Sequence, residues 1–182
     1  MTDFGQLLEQ QIPKLRRYSR ALTRDAARAD DLVQDCLVRA LDKSHLWQPG
    51  TDIRAWLFTI MHNQHVNEVR RGVRQGVSVP VEDVGPVLAV PSTQVAALSL
   101  RDLDRAMGKL PKEQRQVLLL VGLEGLSYEE VASVLNVPVG TVRSRLSRGR
   151  EALRHLMDMK AQQELPAEDD MSGAQSEERS AA

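Results

Sequence analysis

Apolar residues recur along this chain at the three- and four-residue spacing of amphipathic helices. Only residues 77–81 alternate as a strand would, and Pro80 and the lack of a pairing partner argue against a strand there. The pattern therefore predicts an all-α protein. Its helices are expected over residues 3–22, 26–43, 53–71, 94–107, 111–124, 128–135 and 138–154.

Prolines and glycines mark where this helical pattern is interrupted. Pro13 lies in the middle of the first helix and predicts a break or kink, since proline removes a backbone hydrogen bond. Residues 73–93 contain three prolines and two glycines without a helical period, which is typical of a linker. We therefore expect two small helical domains, over residues 1–72 and 94–160, joined by a flexible linker.

Charge is unevenly distributed along the 182 residues, although the net charge at pH 7 is only −1. Residues 138–160 contain six Lys or Arg and two acidic residues, whereas residues 161–182 contain one Arg and six acidic residues. The small net charge therefore conceals a basic helix beside an acidic tail and does not argue against nucleic acid as a partner. Because residues 161–182 have almost no large apolar groups, we expect them to be disordered.

Composition excludes several other classes of protein. Hydrophobic residues make up 42% of the chain and charged residues 27%, as in a soluble globular protein. No apolar run is long enough to cross a bilayer and the first residues lack a signal peptide, so a cytoplasmic protein without a membrane partner is expected. Cys36, the single cysteine, can form no intramolecular disulfide and is expected to be buried. His62 and His65 lack acidic or cysteine partners nearby, so neither a metal site nor a cofactor is predicted.

Residues 126–155 have the pattern of a helix-turn-helix. Ser127 and Glu130 have the spacing of a capping box, which begins a helix. The sequence NVP at residues 136–138 ends that helix, and proline is favoured at the first position of the next one. Two helices joined by so short a turn form the motif with which many proteins read DNA.

The second helix of this motif has two faces of different character. Its apolar face, which needs a core, comprises Val142, Leu146, Gly149, Leu153 and Leu156. The opposite face combines small residues, which allow close approach, with arginines, which bind guanine O6 and N7 or phosphate. That face comprises Gly140, Arg143, Ser144, Ser147 and Arg148. The alternative is an ordinary solvated face, but the capping box and the tight turn favour DNA binding.

The second and third predicted helices each leave a polar face outside the core. On the second helix the predicted buried side is Leu32, Val33, Cys36, Leu37, Ala40 and Leu41. The residues left for another surface are Asp31, Gln34, Asp35 and Arg39. The third helix has an apolar face of Ile53, Leu57, Ile60 and Met61. A different face of that helix carries Trp56, Asn63, Asn67 and Arg70.

Three of the chain's six aromatic residues, Trp47, Trp56 and Phe58, fall within twelve residues of one another. Aromatic side chains beside Asn and Arg suit a surface on which unstacked bases can lie. The alternative is that all three rings belong to the core, and for Phe58 this is the better interpretation.

Stretches in both halves of the chain match a single family. In the N-terminal half these are DLVQDCLVRAL, at 31–41, and DIRAWLFTIMHNQHVNEVRR, at 52–71. The C-terminal stretch, at 110–154, is LPKEQRQVLLLVGLEGLSYEEVASVLNVPVGTVRSRLSRGREALR. Over residues 10–157 the chain resembles the extracytoplasmic-function (ECF, group IV) sigma factors of bacterial RNA polymerase. The C-terminal motif alone would suit other bacterial regulators, whereas the combination is specific to this family.

The resemblance implies a sigma-2-like domain of three or four helices and a sigma-4-like helix-turn-helix domain. The second helix is implied to dock on the β′ coiled coil of core RNA polymerase through Asp31, Gln34 and Asp35. The third helix is implied to recognise and open the −10 element, with Asn63 at the flipped base. The residues implied in that step are Trp56, Asn63, Asn67 and Arg70. Few of the family's usual basic and aromatic residues occur in the loop before it, where His45 and Trp47 stand instead.

The last helix is implied to read the −35 element as duplex DNA. The residues that match the family there are Thr141, Arg143, Ser144, Ser147 and Arg148. The implied partners are core RNA polymerase, through its β′ and β subunits, promoter DNA and an anti-sigma factor.

Two other functions are open to a chain with this sequence. A stand-alone regulator that binds duplex DNA as a dimer would explain the helix-turn-helix but not the tryptophan-containing N-terminal half. A nucleic-acid hydrolase is disfavoured, because the sequence offers no paired carboxylates with a histidine, no nucleophile motif and no phosphate-binding glycine loop. No catalytic residue is therefore predicted.

Overall fold

The computed structural model describes residues 4–74 and 94–164, with side chains over 4–74 and 100–158, and all its regular elements are helical. A 3₁₀ turn, Ser44–Leu46, follows the second helix, and a π-helical turn, Leu119–Leu123, continues the fifth. The α-helices of the described residues are α1 (Phe4–Thr23), α2 (Ala26–Asp42), α3 (Ile53–Arg74), α4 (Gln94–Lys109), α5 (Lys112–Leu118), α6 (Tyr128–Leu135) and α7 (Val139–Glu164). The predicted all-α class is confirmed.

Helices α1, α2 and α3 form the N-terminal half of the fold and pack on one another. Tyr18 of α1 and Phe58 of α3 meet at its centre, with ring centroids 5.0 Å apart and ring planes at 74°. Such an edge-to-face pair contributes about 0.5–1.5 kcal/mol beyond the burial of its surface. Asp25 begins α2, because its side chain accepts a hydrogen bond from the Arg28 backbone N–H at 3.0 Å.

Helices α4 to α7 form the C-terminal half, and the predicted capping box is present at the start of α6. Ser127 Oγ accepts from the Glu130 N–H at 3.2 Å, and the Glu130 carboxylate accepts from the Ser127 N–H at 2.7 Å. Asn136 ends α6 in the left-handed conformation, at φ 52°. Gly149 lets α7 approach α5 closely, since a Cβ there would lie 3.0 Å from Leu118 Cδ1. The cap and the left-handed Asn136 thus define the two ends of α6, which packs on α7, and α7 in turn packs on α5.

The two halves are packed against each other. Helix α3 contacts α6, and α1 contacts the π-helical turn. Buried apolar side chains of α1–α3 and of α5–α7 belong to one continuous core cluster. The N-terminal and C-terminal halves therefore share an extensive interface in this structure.

Several sequence-based boundaries need correction. The predicted break at Pro13 does not occur, because α1 runs without interruption from Phe4 to Thr23 and contains the exposed proline. Leu8 and Leu15, on either side of Pro13, are both buried, so packing offsets the lost hydrogen bond. Leu41, predicted on the buried side of α2, is 55% exposed because it lies at the edge of the apolar stripe.

The later helices also differ from their predicted lengths. Helix α4 extends two residues further than predicted, and the fifth helix changes from α to π geometry after Leu118. Helix α7 continues to Glu164, ten residues beyond the predicted end and four into the predicted tail, where Ala, Gln and Glu favour helix. The rest of the tail, 165–182, and most of the predicted linker, 75–93, lie outside the described residues. The predicted domain boundaries therefore stay a prediction.

Candidate nucleic-acid and polymerase interfaces

The polar face of α7 is exposed, and its apolar face is buried at Val142, Leu146 and Gly149 but only half-buried at Leu153 and Leu156. Arg143, Ser144, Ser147 and Arg148 are all exposed, whereas Thr141 is half-buried. Val142 and Leu146 are buried on the other side. Ser144 Oγ donates to the Thr141 carbonyl at 3.0 Å, which leaves its oxygen free to accept from a ligand. The structure thus brings the predicted −35 residues onto one open surface of one helix.

A groove runs along this helix and adds residues that the sequence reasoning missed. It is lined by Tyr128 of α6 and by Arg143, Leu146, Ser147, Arg150, Glu151 and Arg154 of α7. Residues 143, 147, 150 and 154 follow one another at helical spacing, so periodicity could have identified Arg150 and Arg154. Arginines along such a groove suit contact with the phosphates of a duplex.

The predicted −10 residues lie along α3, three of them on its open side. Asn63, Asn67 and Arg70 are exposed, whereas Trp56 is half-buried. Phe4 of α1 packs against both tryptophans, with ring centroids 6.1 Å from Trp56 and 5.5 Å from Trp47. The sequence reasoning missed Phe4, whose place in this cluster depends on how α1 packs on α3.

Phe58 lies apart from this aromatic cluster. The Phe58 side chain is 1% exposed and belongs to the core, as predicted from the sequence.

The predicted polymerase-docking face of α2 is exposed throughout. Asp31, Gln34 and Asp35 point away from the core, whereas Val33 and Cys36 are buried. Val38 is 57% exposed and, with Leu41, continues the same side of the helix by one and two further turns. The surface is therefore acidic and polar at one end and apolar at the other, which suits a protein partner.

The two histidines of α3 are partly buried where α3 approaches α5. Burial first, and then the nearby side chains of His62, Lys112 and Arg115, lower the pKa of His65 to about 4, because each disfavours a second positive charge beside it. Burial also lowers the pKa of His62. The His65 imidazole is therefore neutral at pH 7. Among the described residues, no group of three or more His, Cys, Asp or Glu side chains is placed to hold a metal ion.

Comparison with protein families identifies both halves of the chain. Residues 8–62 match the family described as the sigma2 domain of PhyR. Residues 100–153 match the family described as sigma-70, region 4. The first match lies within α1–α3 and the second spans α4–α7. No helix within the described ranges is both long enough and apolar enough to span a bilayer.

Known proteins resemble the chain across both halves. The sigma factor RpoE of Bartonella quintana, solved with the anti-sigma factor NepR, shares 35% identity and superimposes with a TM-score of 0.74, covering 87% of this chain and 98% of that one. CnrH, solved with the cytosolic domain of CnrY, shares 29% identity with a TM-score of 0.62, covering 86% of this chain and 88% of that one. The ECF RNA polymerase sigma factor EcfG of Rhodopseudomonas palustris (strain TIE-1) is 39% identical over 150 residues, which are 80% of each chain. The chain therefore belongs to the ECF sigma factors of RNA polymerase, which direct promoter-specific initiation of transcription.

Proposed function

We propose that this sigma factor selects its promoters by reading the −35 element through the exposed face of α7. The observation that carries the proposal is the open small-and-arginine surface on a helix held by a capping box and a tight turn. Arg143 and Arg148 bind base edges in the major groove. The remaining proposed −35 contacts are Thr141, Ser144 and Ser147.

The N-terminal half opens the −10 element in the same proposal. Unstacking bases costs a few kcal/mol for each step, and their capture by protein side chains offsets that cost. Asn63, Asn67 and Arg70 are exposed for such contacts, and Trp56 presents part of an aromatic ring beside them. Asn63 binds the flipped base.

Core RNA polymerase is the partner of the exposed face of α2 and supplies the chemistry of transcription. Asp31, Gln34 and Asp35 dock on the β′ subunit, and the C-terminal half meets the β subunit. The sigma factor itself has no catalytic role and requires no cofactor. It acts in the cytoplasm, where the polymerase transcribes.

An anti-sigma factor is a further proposed partner. The sigma factor RpoE has been solved with the anti-sigma factor NepR, and CnrH with the cytosolic domain of CnrY. The similarity to RpoE covers 87% of this chain, including both halves, which favours a regulator that contacts both.

Run-off transcription with purified core polymerase on a genomic promoter library tests the proposed function. The full chain should direct initiation at a small set of promoters sharing −35 and −10 sequences, and core polymerase alone should not. Binding to duplex DNA as a dimer, with no initiation and no retention of the chain on core polymerase, would favour a stand-alone regulator instead.

A further inference from the structure

Phe4, the first residue of α1, contacts the rings of both tryptophans of the chain. Its ring centroid lies 5.5 Å from that of Trp47, with the ring planes at 43°, and 6.1 Å from that of Trp56, with the planes at 68°. Aromatic pairs favour tilted and edge-to-face geometries of this kind. In the described part of the chain no ring contact joins the two tryptophans directly, so Phe4 is the aromatic link between them.

Trp47 lies in the loop between α2 and α3, residues 43–52, whose hydrogen bonds are local. The Trp47 backbone N–H donates to the Ser44 carbonyl at 3.2 Å, and the Thr51 hydroxyl donates to the Gln48 carbonyl at 2.7 Å. Neither bond reaches another helix. Local hydrogen bonding therefore shapes this loop but does not fix where its tryptophan lies relative to α3.

The side chain of Trp47 has no hydrogen bond that would fix its orientation. Its indole N–H is buried and has no acceptor among the described residues, although a buried tryptophan N–H usually has one. The neighbouring Leu46 is 60% exposed, so it does little to anchor the loop. Ring packing must therefore hold Trp47 in place, and Phe4 supplies the aromatic part of that packing.

The three rings of this cluster keep part of their surface open to a ligand. Phe4, Trp47 and Trp56 are all half-buried, each packed against the core on one side. Trp56 lies on the same face of α3 as exposed Asn63, the residue proposed to bind the flipped base. Unpaired bases stack on aromatic faces. The loop and α3 therefore each present one tryptophan to such bases, and Phe4 lies against both.

We propose that Phe4 is a positioning residue for the −10 element, because it fixes Trp47 of the loop relative to Trp56 of α3 and so completes the surface on which unpaired bases stack. The inference rests on the proposed function, which assigns the opened −10 element to α3. Phe4 itself touches no base and acts through the two tryptophans. A loop that is already ordered loses less conformational freedom when a base binds, so its fixation favours binding of the unpaired strand.

Intrinsic fluorescence of the full chain tests whether Phe4 holds the tryptophans. Trp47 and Trp56 are the only tryptophans in the sequence, so the signal reports on this cluster alone. Phe4→Ala should shift the emission to longer wavelength and increase quenching by acrylamide. Trp47→Phe and Trp56→Phe, each combined with Phe4→Ala, assign the change to one ring or to both. An unchanged spectrum and unchanged quenching in Phe4→Ala would refute the positioning role.

Binding of an unpaired strand tests the consequence for promoter DNA. Holoenzyme assembled with each variant is titrated with a fluorescein-labelled single strand, which carries the non-template −10 sequence of a promoter found in the run-off screen. Core polymerase alone gives the background. Phe4→Ala should bind this strand about tenfold more weakly than wild type, as if one stacked base were lost. Its affinities for core polymerase and for a duplex −35 fragment should be unchanged.

Matched variants separate positioning from general destabilisation. Leu7, one turn further along α1, is also half-buried against the core but takes part in no ring contact. Leu7→Ala should lower the urea midpoint as Phe4→Ala does and still bind the strand as wild type does. Phe4→Tyr keeps the ring and should also bind normally. Equal weakening of strand binding by Leu7→Ala and Phe4→Ala would overturn the proposal.

Phe4→Leu decides the matter if Phe4→Ala does not fold. Leucine retains apolar bulk at this position but has no ring to pair with the tryptophans, so the variant should fold and bind the strand more weakly than wild type. Wild-type affinity in Phe4→Leu would then exclude the positioning role alone. If wild-type holoenzyme binds the strand no better than core polymerase does, the proposed −10 function fails, and the role of Phe4 fails with it.

Discussion

At the scale of single residues, the arginines of α7 differ in how they are presented to solvent. Arg143 and Arg148 are exposed on the polar face, whereas Arg145 is half-buried near the core edge. A base contact carries sequence information, while a phosphate contact strengthens binding to all sequences alike. These arginines should therefore have separable effects on promoter choice.

Replacing Arg143 or Arg148 with alanine should relax specificity at particular −35 positions. Loss of a bidentate arginine–guanine contact costs about 1–3 kcal/mol, or roughly ten- to a hundredfold in discrimination. Activity of each variant on every single-base −35 mutant measures this effect. Arg145→Ala is the matched control. It should weaken binding to all promoters by the same factor, and its DNA affinity should depend less on salt concentration. A uniform loss for Arg143→Ala and Arg148→Ala as well would contradict base reading.

Replacing Trp56 or Asn63 with alanine should impair promoter opening rather than duplex binding. Both variants should initiate poorly on a linear duplex promoter and recover partly when the −10 region is already mismatched, because unpaired bases need no energy for unstacking. Arg71→Ala, an exposed change on the same helix, should behave as wild type on both templates. Equal losses on the two templates would assign Trp56 and Asn63 a structural role.

At the scale of elements, α6 depends on its capping box because it has only eight residues. Isolated helices of this length are unstable in water, so the cap and tertiary packing both contribute. The two reciprocal hydrogen bonds satisfy N–H groups that the helix itself leaves free. This short helix in turn sets the position of α7.

Ser127→Ala should lower the free energy of unfolding by about 1 kcal/mol, because one orphan N–H of α6 loses its acceptor. Urea denaturation measures the change. Ser133→Ala, at an exposed position within α6, is the control and should be neutral or slightly stabilising. In a double-mutant cycle, Ser127→Ala and Glu130→Ala should be non-additive. Strict additivity would show that the two hydrogen bonds act independently.

The exposed face of α2 supports a second prediction at this scale. Replacing Gln34 and Asp35 together with alanine should weaken binding to core polymerase and leave helicity unchanged, because neither side chain is buried. Glu9 and Gln10, an adjacent exposed pair on α1, provide the matched double-alanine control. Titration of labelled core polymerase with each double variant measures the two affinities, and the control should bind as wild type does. Unchanged affinity in the Gln34 and Asp35 variant would rule out this face as the docking site.

At the scale of the whole molecule, local features were predictable from the sequence and contacts between the halves were not. The capping box and the faces of α7 follow from residues within one or two turns of each other. Arg17 and Glu124 are 107 residues apart, and no periodicity indicates that they meet. Leu41 was predicted to be buried but is exposed, because helical spacing identifies the apolar stripe of a helix but not whether another helix packs over its edge.

His65 makes the packed arrangement sensitive to acid. Its pKa is about 4 because of burial, neighbouring His62 and the opposing Lys112 and Arg115 of α5. An exposed histidine has a pKa of about 6.5, so protons bind more tightly once this site is opened. The contribution of neutral His65 to the free energy of unfolding is therefore complete above about pH 6.5 and is lost as the pH falls towards 4. Over this range the folding equilibrium constant falls by at most about tenfold per pH unit because of this histidine.

Unfolding in urea at a series of pH values measures this dependence. His65→Gln should reduce the loss of stability between pH 6.5 and 4.5, whereas His155→Gln, at an exposed site, should not. Carboxylates also titrate near the lower end of this range and contribute equally in all the proteins. The informative quantity is therefore the difference in free energy of unfolding between each variant and wild type at the same pH. Identical pH profiles for wild type and His65→Gln would exclude the histidine as the cause.

The enclosure of Cys36 has a consequence for how the chain can respond to oxidants. Burial raises the pKa of this thiol to about 12, and its Sγ donates a hydrogen bond to the Leu57 carbonyl. At pH 7 this thiol is therefore almost entirely protonated, and the thiolate is the form that peroxide attacks. Because the sequence contains no second cysteine, the folded protein has no thiol that reacts readily with peroxide. Any oxidative signal that reaches it through a cysteine must be sensed on another molecule.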